Sequence, residues 1–174
     1  VALLAGVGLA FLIDHFDDTI RDEGAFEALK ISPLGTIPVI RAKAEAKGRV
    51  VVSLPHSQAA EGFRAARMAL LFALKEKNPH TVVVTSAGPR EGKTLTACNL
   101  AIATAQFGRK TLLIDADLRK PEIASIFGSE RKPGLAEFLC EEAESEAVIR
   151  TTSVENLALI PAGVAPANPA DLLR

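Results

Sequence analysis

Eight residues, Ala87-Gly88-Pro89-Arg90-Glu91-Gly92-Lys93-Thr94, stand directly after the apolar run Thr81-Val82-Val83-Val84-Thr85-Ser86. A strand that ends in a loop of successive backbone N–H groups and then enters a helix aims those donors, and the positive helix end, at one point. Such a point suits a polyphosphate. Gly92 lets the backbone approach the anion, Lys93 can reach the β- and γ-phosphates, and the Thr94 hydroxyl is placed to hold Mg²⁺. The first position of the G-x-x-x-x-G-K-[ST] pattern is Ala87 rather than Gly, a small departure with Gly88 beside it. The nucleotide-binding set is therefore Gly88, Pro89, Arg90, Glu91, Gly92, Lys93, Thr94 and Leu95.

A second cluster has matching chemistry. Lys110-Thr111-Leu112-Leu113-Ile114 reads as a buried strand that runs into Asp115-Ala116-Asp117-Leu118-Arg119. Reactive groups gather at the carboxyl ends of parallel strands, where a phosphate loop also lies. Asp115 and Asp117 alternate on an extended segment, so both can face one crevice. One carboxylate can hold the metal through water while the other accepts a proton from an incoming hydroxyl, and Arg119 can touch phosphate. A solvated D-x-D turn is the plainer alternative. Lys93, Asp115, Asp117 and Arg119 are the candidate catalytic residues, with Thr94 and Asp115 at the metal.

The elements that position these groups follow from periodicity. Leu95 to Phe107 has helical spacing, with Leu100, Ala103 and Phe107 on the packing side and Gly108 at the end. Short helices are expected at Ile123 to Phe127 and Gly134 to Cys140, and Leu157-Ala158-Leu159-Ile160 is a further strand. Strand, helix, strand, helix, strand predicts an α/β fold, a Rossmann-like three-layer αβα sandwich on a parallel sheet. Before the phosphate loop, a helix from Ser57 to Lys75 carries Phe63, Ala66, Leu70 and Leu74 as its buried stripe. Glu61, Arg64 and Arg67 lie on a broad arc beside that stripe. Such an arc is either a solvated face or a contact with a neighbouring subunit.

Composition narrows the function classes. With 174 residues of which 48% are hydrophobic, the chain can bury a proper core. Lys and Arg total 20 against 21 Asp and Glu, a net charge of -1, which argues against a general nucleic-acid binder. The two cysteines, Cys98 and Cys140, read as buried thiols rather than a disulfide framework. Tyr and Trp are absent, so any tyrosine chemistry acts on a residue outside this chain. His15, His56 and His80 are scattered over connectors and support no metal site.

The amino end is uncharged from Val1 to Ile13 and rich in small residues. A helix of that length spans roughly 20 Å, short of the roughly 30 Å hydrocarbon core. With no initiator Met, residues 1–13 read as the second half of a transmembrane helix, with a buried core helix as the alternative. Residues 14–50 read as a juxtamembrane linker, with helical spacing over Asp22 to Lys30, an extended Thr36 to Ile40, and a charged stretch from Ala42 to Lys47 that lacks core material. Residues 51–174 read as the nucleotide-binding domain.

Phe16-Asp17-Asp18-Thr19-Ile20-Arg21 after an apolar helix, Pro33-Leu34-Gly35-Thr36-Ile37-Pro38, Glu61-x-x-Arg64-x-x-Arg67, the phosphate loop, Asp115-x-Asp117-x-Arg119, and Leu159-Ile160-Pro161-Ala162-Gly163 with Asn168-Pro169-Ala170-Asp171-Leu172-Leu173 come in that order. Over nearly its whole length the chain thereby resembles the bacterial tyrosine kinases of capsular and exopolysaccharide export. The resemblance implies that Lys93 and Thr94 bind ATP and Mg²⁺, that Asp115 serves the metal and Asp117 is the base. It also implies that Glu61, Arg64 and Arg67 link copies into a ring. Its further implications are an inner-membrane anchor, a cytoplasmic kinase domain, partnership with the polysaccharide machinery, and phosphorylation of a tyrosine tail between neighbours. A second metal-binding Asp, the tyrosine tail and a periplasmic domain belong to that pattern and do not occur in these residues, so the chain reads as an internal segment. Two alternatives stay open: a partitioning or positioning ATPase of the ParA/MinD kind, whose loop usually carries an early Lys that is missing here, and a nucleotide-sensing co-polymerase domain without kinase activity.

Overall fold

The computed structural model describes residues 2–16, 26, 30–41, 44–74, 81–164 and 172. The chain divides into two compact units, residues 1–33 and residues 34–174. In the first, helix α1 covers Ala2–His15, and Leu9, Phe11 and Leu12 are exposed. No helix among the described residues is long and apolar enough to cross a membrane. The helix expected over Asp22 to Lys30 falls mostly outside the described residues.

The second unit is organised on one helix. Its elements are α2 (Ala44–Gly48), α3 (Val50–Ser53), α4 (Gln58–Leu74), α5 (Lys93–Gln106), β1 (Thr111–Ile114), α6 (Ile123–Phe127), α7 (Leu135–Leu139), α8 (Ser145–Val148), β2 (Arg150–Thr151) and β3 (Leu157–Ile160). Helix α5 is apolar almost all round, with Cys98 through Ala103 and Ala105 buried. A helix of that kind must be covered on several sides. It is covered by Ala59, Phe63 and Ala66 of α4, by Val50 and Val51 of α3, and by Leu113, Leu157 and Leu159 of the sheet. The stripe expected on α4 is present at Phe63 and Ala66, while Leu70 and Leu74 are only half-buried.

The sheet is mixed rather than wholly parallel. β1 and β3 run parallel in the register Leu113↔Leu159, and β2 joins the other side of β3 antiparallel, giving the order β1-β3-β2. Alternation sends Leu113 onto α5 and leaves Leu112 and Ile114 on the opposite face, 46% and 45% exposed. The strand expected over Thr81-Ser86 is not formed, and Val83 is 84% exposed. An apolar run becomes a strand only where a neighbour supplies ladder bonds, and none of the described strands pairs with it.

Three further expectations are corrected. The linker expected up to residue 50 contains structure and core at its end: α2 forms there, α3 starts at Val50, and Val50 is wholly buried. Phe107 is not on the packing side but 54% exposed, because the helix ends at Gln106 and Phe107 is its C-cap. Cys140 is exposed, since it caps the short α7, whereas Cys98 is buried and its thiol is pushed up to about 12 by desolvation, which leaves it inert.

Candidate nucleotide site

The phosphate loop enters α5 through Gly92, whose φ of 91° lies in the left-handed region that a side chain disfavours. A Cβ at Gly92 would meet nothing within 4 Å, so the residue is required for its backbone angle and the space above it is open. Arg90 adopts a φ of 65° as well, which turns the chain sharply before the helix. Ser86 Oγ donates to Gly88 O at 2.8 Å and ties the loop entrance. No side chain caps the first turn of α5. The early N–H groups of a 14-residue helix are thus available to an anion. Thr94 is half-buried in that first turn, Leu95 packs against the core, and Pro89, Arg90 and Glu91 are exposed.

Lys93 Nζ stands 2.8 Å from Asp117 Oδ2, so the structure brings the loop lysine and the second aspartate together. The hydrogen bond and then the charge of Asp117 raise the Lys93 pKa. Reciprocally, the hydrogen bond from Lys93 holds the Asp117 carboxyl below its ordinary range, helped by the Lys120 N–H that Oδ1 accepts at 3.0 Å. Asp115 is buried and turned inward. Its Oδ1 accepts the Asp117 N–H at 3.2 Å and its Oδ2 the Ile123 N–H at 3.1 Å, which joins the end of β1 to the start of α6. Burial nevertheless pushes its pKa up. The two aspartates therefore do not present equal faces to the crevice: Asp117 meets Lys93, and Asp115 shapes the turn that carries Asp117. Arg119 is exposed.

Among the described residues no group of three His, Cys, Asp or Glu side chains can hold a metal. A Mg²⁺ here would depend on the Thr94 hydroxyl, on phosphate oxygens and on water, with Asp115 at most behind a water. That donor set suits Mg²⁺, which keeps several waters and is commonly held by few protein groups plus substrate phosphates.

Two buried polar side chains that the sequence reading passed over support the site. Asn99 Oδ1 accepts the Val51 N–H at 3.1 Å, and its Nδ2 donates to Lys47 O and Leu95 O, both at 2.9 Å. It pins α2 and α3 to the helix that carries Lys93. Glu137 Oε2 accepts the Gly134 N–H at 2.8 Å and Oε1 the Val164 N–H at 3.1 Å. Burial works to raise its pKa, but those N–H donors outweigh it and hold the carboxyl below its ordinary range. A Cβ at Gly134 would fall 2.4 Å from Pro161 O and Gly163 N, so two loops cross here backbone to backbone. Leu118, next to Asp117, packs with Ala136 of α7 and with Ala162 of the loop after β3. The spacing Gly134-x-x-Glu137 is the signal that was available, half of a capping box.

The helix triad divides. Glu61 and Arg64 form an ion pair on the surface of α4, with side chains 66% and 31% exposed, and Arg64 Nη1 also donates to Pro55 O at 2.9 Å. Arg67 points into its own domain. Its Nη1 donates to Ala103 O at 3.3 Å, and its guanidinium lies 4.4 Å from the centre of the Phe107 ring.

Residues 82–172, which hold this loop and the sheet, match the family described as AAA domain. The chain belongs to the AAA domain family. Within it, similarity runs to bacterial tyrosine kinases. The tyrosine-protein kinase YwqD of Bacillus subtilis is 39% identical over 124 residues, which cover 71% of this chain and 52% of that protein. The putative tyrosine-protein kinase EpsB of Ralstonia solanacearum is 31% identical over 99% of this chain and 24% of its own length. Among solved structures, the kinase domain of the Escherichia coli tyrosine kinase ETK superposes with a TM-score of 0.78 at 31% identity, covering 89% of this chain and 65% of that one. The chimerical protein CapA2B2 gives 0.77 at 33% identity, covering 88% and 65%. The chain thus spans about half the length of YwqD or less than that of these curated relatives. The fold is that of the solved ETK kinase domain and of CapA2B2.

Proposed function

We propose that the chain is the phosphate-loop portion of an ATP- and Mg²⁺-dependent protein-tyrosine kinase of capsule and exopolysaccharide biosynthesis, acting on tyrosines of neighbouring copies. The observation that carries this reading is the 2.8 Å contact between Lys93 and Asp117, in a chain 39% identical to a tyrosine-protein kinase. It puts a carboxylate at the mouth of the phosphate loop, and in this reading that carboxylate takes the proton of the incoming hydroxyl. Bound MgATP supplies the phosphoryl group. Lys93 and the open N–H groups of α5 hold the phosphates, Thr94 holds the metal, and Arg119 reaches phosphate from the exposed side. Once Lys93 turns to phosphate, Asp117 is freed to accept the tyrosine proton. Asp115 positions Asp117 through its backbone N–H and serves the metal through water. Glu61 and Arg64 link copies, and Arg67 supports them from behind. Succinoglycan biosynthesis transport protein ExoP of Rhizobium meliloti, 40% identical over 66% of this chain and 15% of its own length, supports a place in polysaccharide biosynthesis and transport, for which the proposed setting is the inner membrane.

Calorimetric ATP titration of the full-length protein tests the core of the proposal. Lys93→Ala removes a cation from the β/γ-phosphates without touching the core, so affinity falls by about tenfold or more while folding is kept. Unchanged ATP binding in that variant sinks the assignment.

A further inference from the structure

Three half-buried arginines outside the nucleotide site, Arg49, Arg67 and Arg150, are held in place with no counter-charge among the described residues, and of these Arg49 and Arg150 border hollows. Arg150 Nη1 donates to Ala147 O at 2.8 Å and Nη2 to Pro133 O at 3.3 Å. Arg49 Nη2 donates to Ser153 Oγ at 3.0 Å, and its guanidinium lies 5.5 Å from the centre of the Phe127 ring. Both residues are half-buried, the Nε of each is buried without an acceptor, and among the described residues no carboxylate lies within ion-pair distance of either. Half-buried cations are normally paired, because partial desolvation strengthens their call on an anion.

The two arginines line adjoining hollows. One, of about 370 Å³, is bordered by Arg150, Ser129, Thr151, Thr152 and Ser153, with Glu130 as its one acidic residue. The other, of about 550 Å³, is bordered by Arg49, Ser53 and Ser125. Phe127 and Gly128 border both, and the bond from Arg49 to Ser153 crosses from one to the other. No residue of the phosphate loop or of the Asp115 to Arg119 segment borders either hollow.

We infer that the adjoining hollows at Arg49 and Arg150 form a second anion site and take a phosphoryl group. Guanidinium planes fixed by neutral acceptors, with the Ser125, Thr151 and Ser153 hydroxyls still free to donate, match the donor demand of a tetrahedral oxyanion. A free phosphate and an aryl phosphate share that chemistry. An aryl phosphate would also cover the Phe127 ring, and phosphotyrosine is the aryl phosphate that a tyrosine kinase makes. That preference between sources rests on the kinase reading; the site itself does not.

The test is a calorimetric titration of the full-length protein with inorganic phosphate, phenyl phosphate and phenol, the phosphate loop being saturated with ADP and Mg²⁺. Both phosphates bind and phenol does not. Arg49→Gln weakens them about tenfold, the loss of one charge-assisted contact. Glu130→Gln removes the one repelling carboxylate and strengthens binding, a gain that structural damage cannot produce. Tighter binding of phenyl phosphate than of inorganic phosphate assigns the aryl source, and equal binding assigns the free ion. No binding of either phosphate, or binding that neither variant changes, overturns the site. Phosphoryl transfer is not measured, so failure here leaves the kinase assignment standing.

Discussion

Lys93 and Asp117 each favour the charged form of the other, and this sets a competition that nucleotide must win. The lysine has to leave a carboxylate 2.8 Å away before it can serve phosphate. Asp117→Asn removes that competitor, so ATP is expected to bind more tightly while phosphoryl transfer falls by about 100-fold or more, the usual contribution of a positioned base. Parallel ATP calorimetry and tyrosine-phosphorylation rates on the full-length protein check both halves; equal, mild losses in the two would return the segment to a solvated turn. The pH dependence follows the same competition. In the free protein the Asp117 carboxyl is held down by Lys93, so its charged form persists below the ordinary carboxylate range and is lost only as pH falls through that lowered value. Once phosphate draws Lys93 away, the carboxyl rises again. The acid limb of kcat is therefore expected at higher pH than the acid limb of kcat/KM, because the first reports the complex and the second the free protein. Coincident limbs would mean that the ion pair survives nucleotide binding.

At the scale of elements, the phosphate-loop helix is a hub, and Asn99 is the hinge pin between it and the helices before it. Asn99→Ala leaves the buried Val51 N–H without an acceptor, a loss of about 1–3 kcal/mol. Thermal melting is expected to show a clear drop, with proteolysis starting in residues 44–53; an unchanged melting temperature would mean that α2 and α3 are not held through this residue. Most of this scaffold was legible in the sequence. Helices α4 to α7 and strands β1 and β3 match the periodic reading, because long amphipathic or bounded apolar runs leave little choice. What was not legible depends on partners distant in sequence. Whether Thr81-Ser86 is a strand is decided by a neighbour and not by three valines. Val50 was assigned to a linker that ended at it because a four-residue helix has too little period to be seen, and Asn99 reaches the next residue, Val51, from 48 residues away in sequence. In the site, the Lys93 half of the Lys93–Asp117 pair came from a motif with a mechanism. The inward turn of Asp115 did not, since alternation along a strand cannot foresee two backbone N–H groups waiting on the other side. Glu137 was missed for a similar reason: an acidic residue near an acidic stretch looks solvated until two crossing loops present their N–H groups to it.

At the scale of the whole molecule, the α4 triad divides its labour between contacts among copies and contacts within one domain, in a way that can be measured. Glu61 and Arg64 are surface groups that pair with each other, and such exposed pairs contribute about 0 to 1 kcal/mol to a monomer. Arg67 is different: it bonds the carbonyl of Ala103 and stacks on Phe107, so it joins α4 to the end of the phosphate-loop helix. Burial lowers its pKa, with the charge of Arg64 adding to the effect, yet it remains protonated at any physiological pH. Arg67→Ala is therefore expected to lower the melting temperature of the domain by itself, through a lost carbonyl bond and a cation–π contact worth about 1 kcal/mol together with the packing of its stem. The double change Glu61→Ala with Arg64→Ala should leave the melting temperature nearly unchanged. If copies assemble head to tail through this face, as proposed, the double change repeats its loss at every contact and prevents closure of a ring. Light scattering on the full-length protein then shows a smaller particle, and phosphorylation between copies falls with it. A double variant that assembles like the parent would leave Glu61 and Arg64 as a solvated pair, with Arg67 still marking the seam between two helices of one domain.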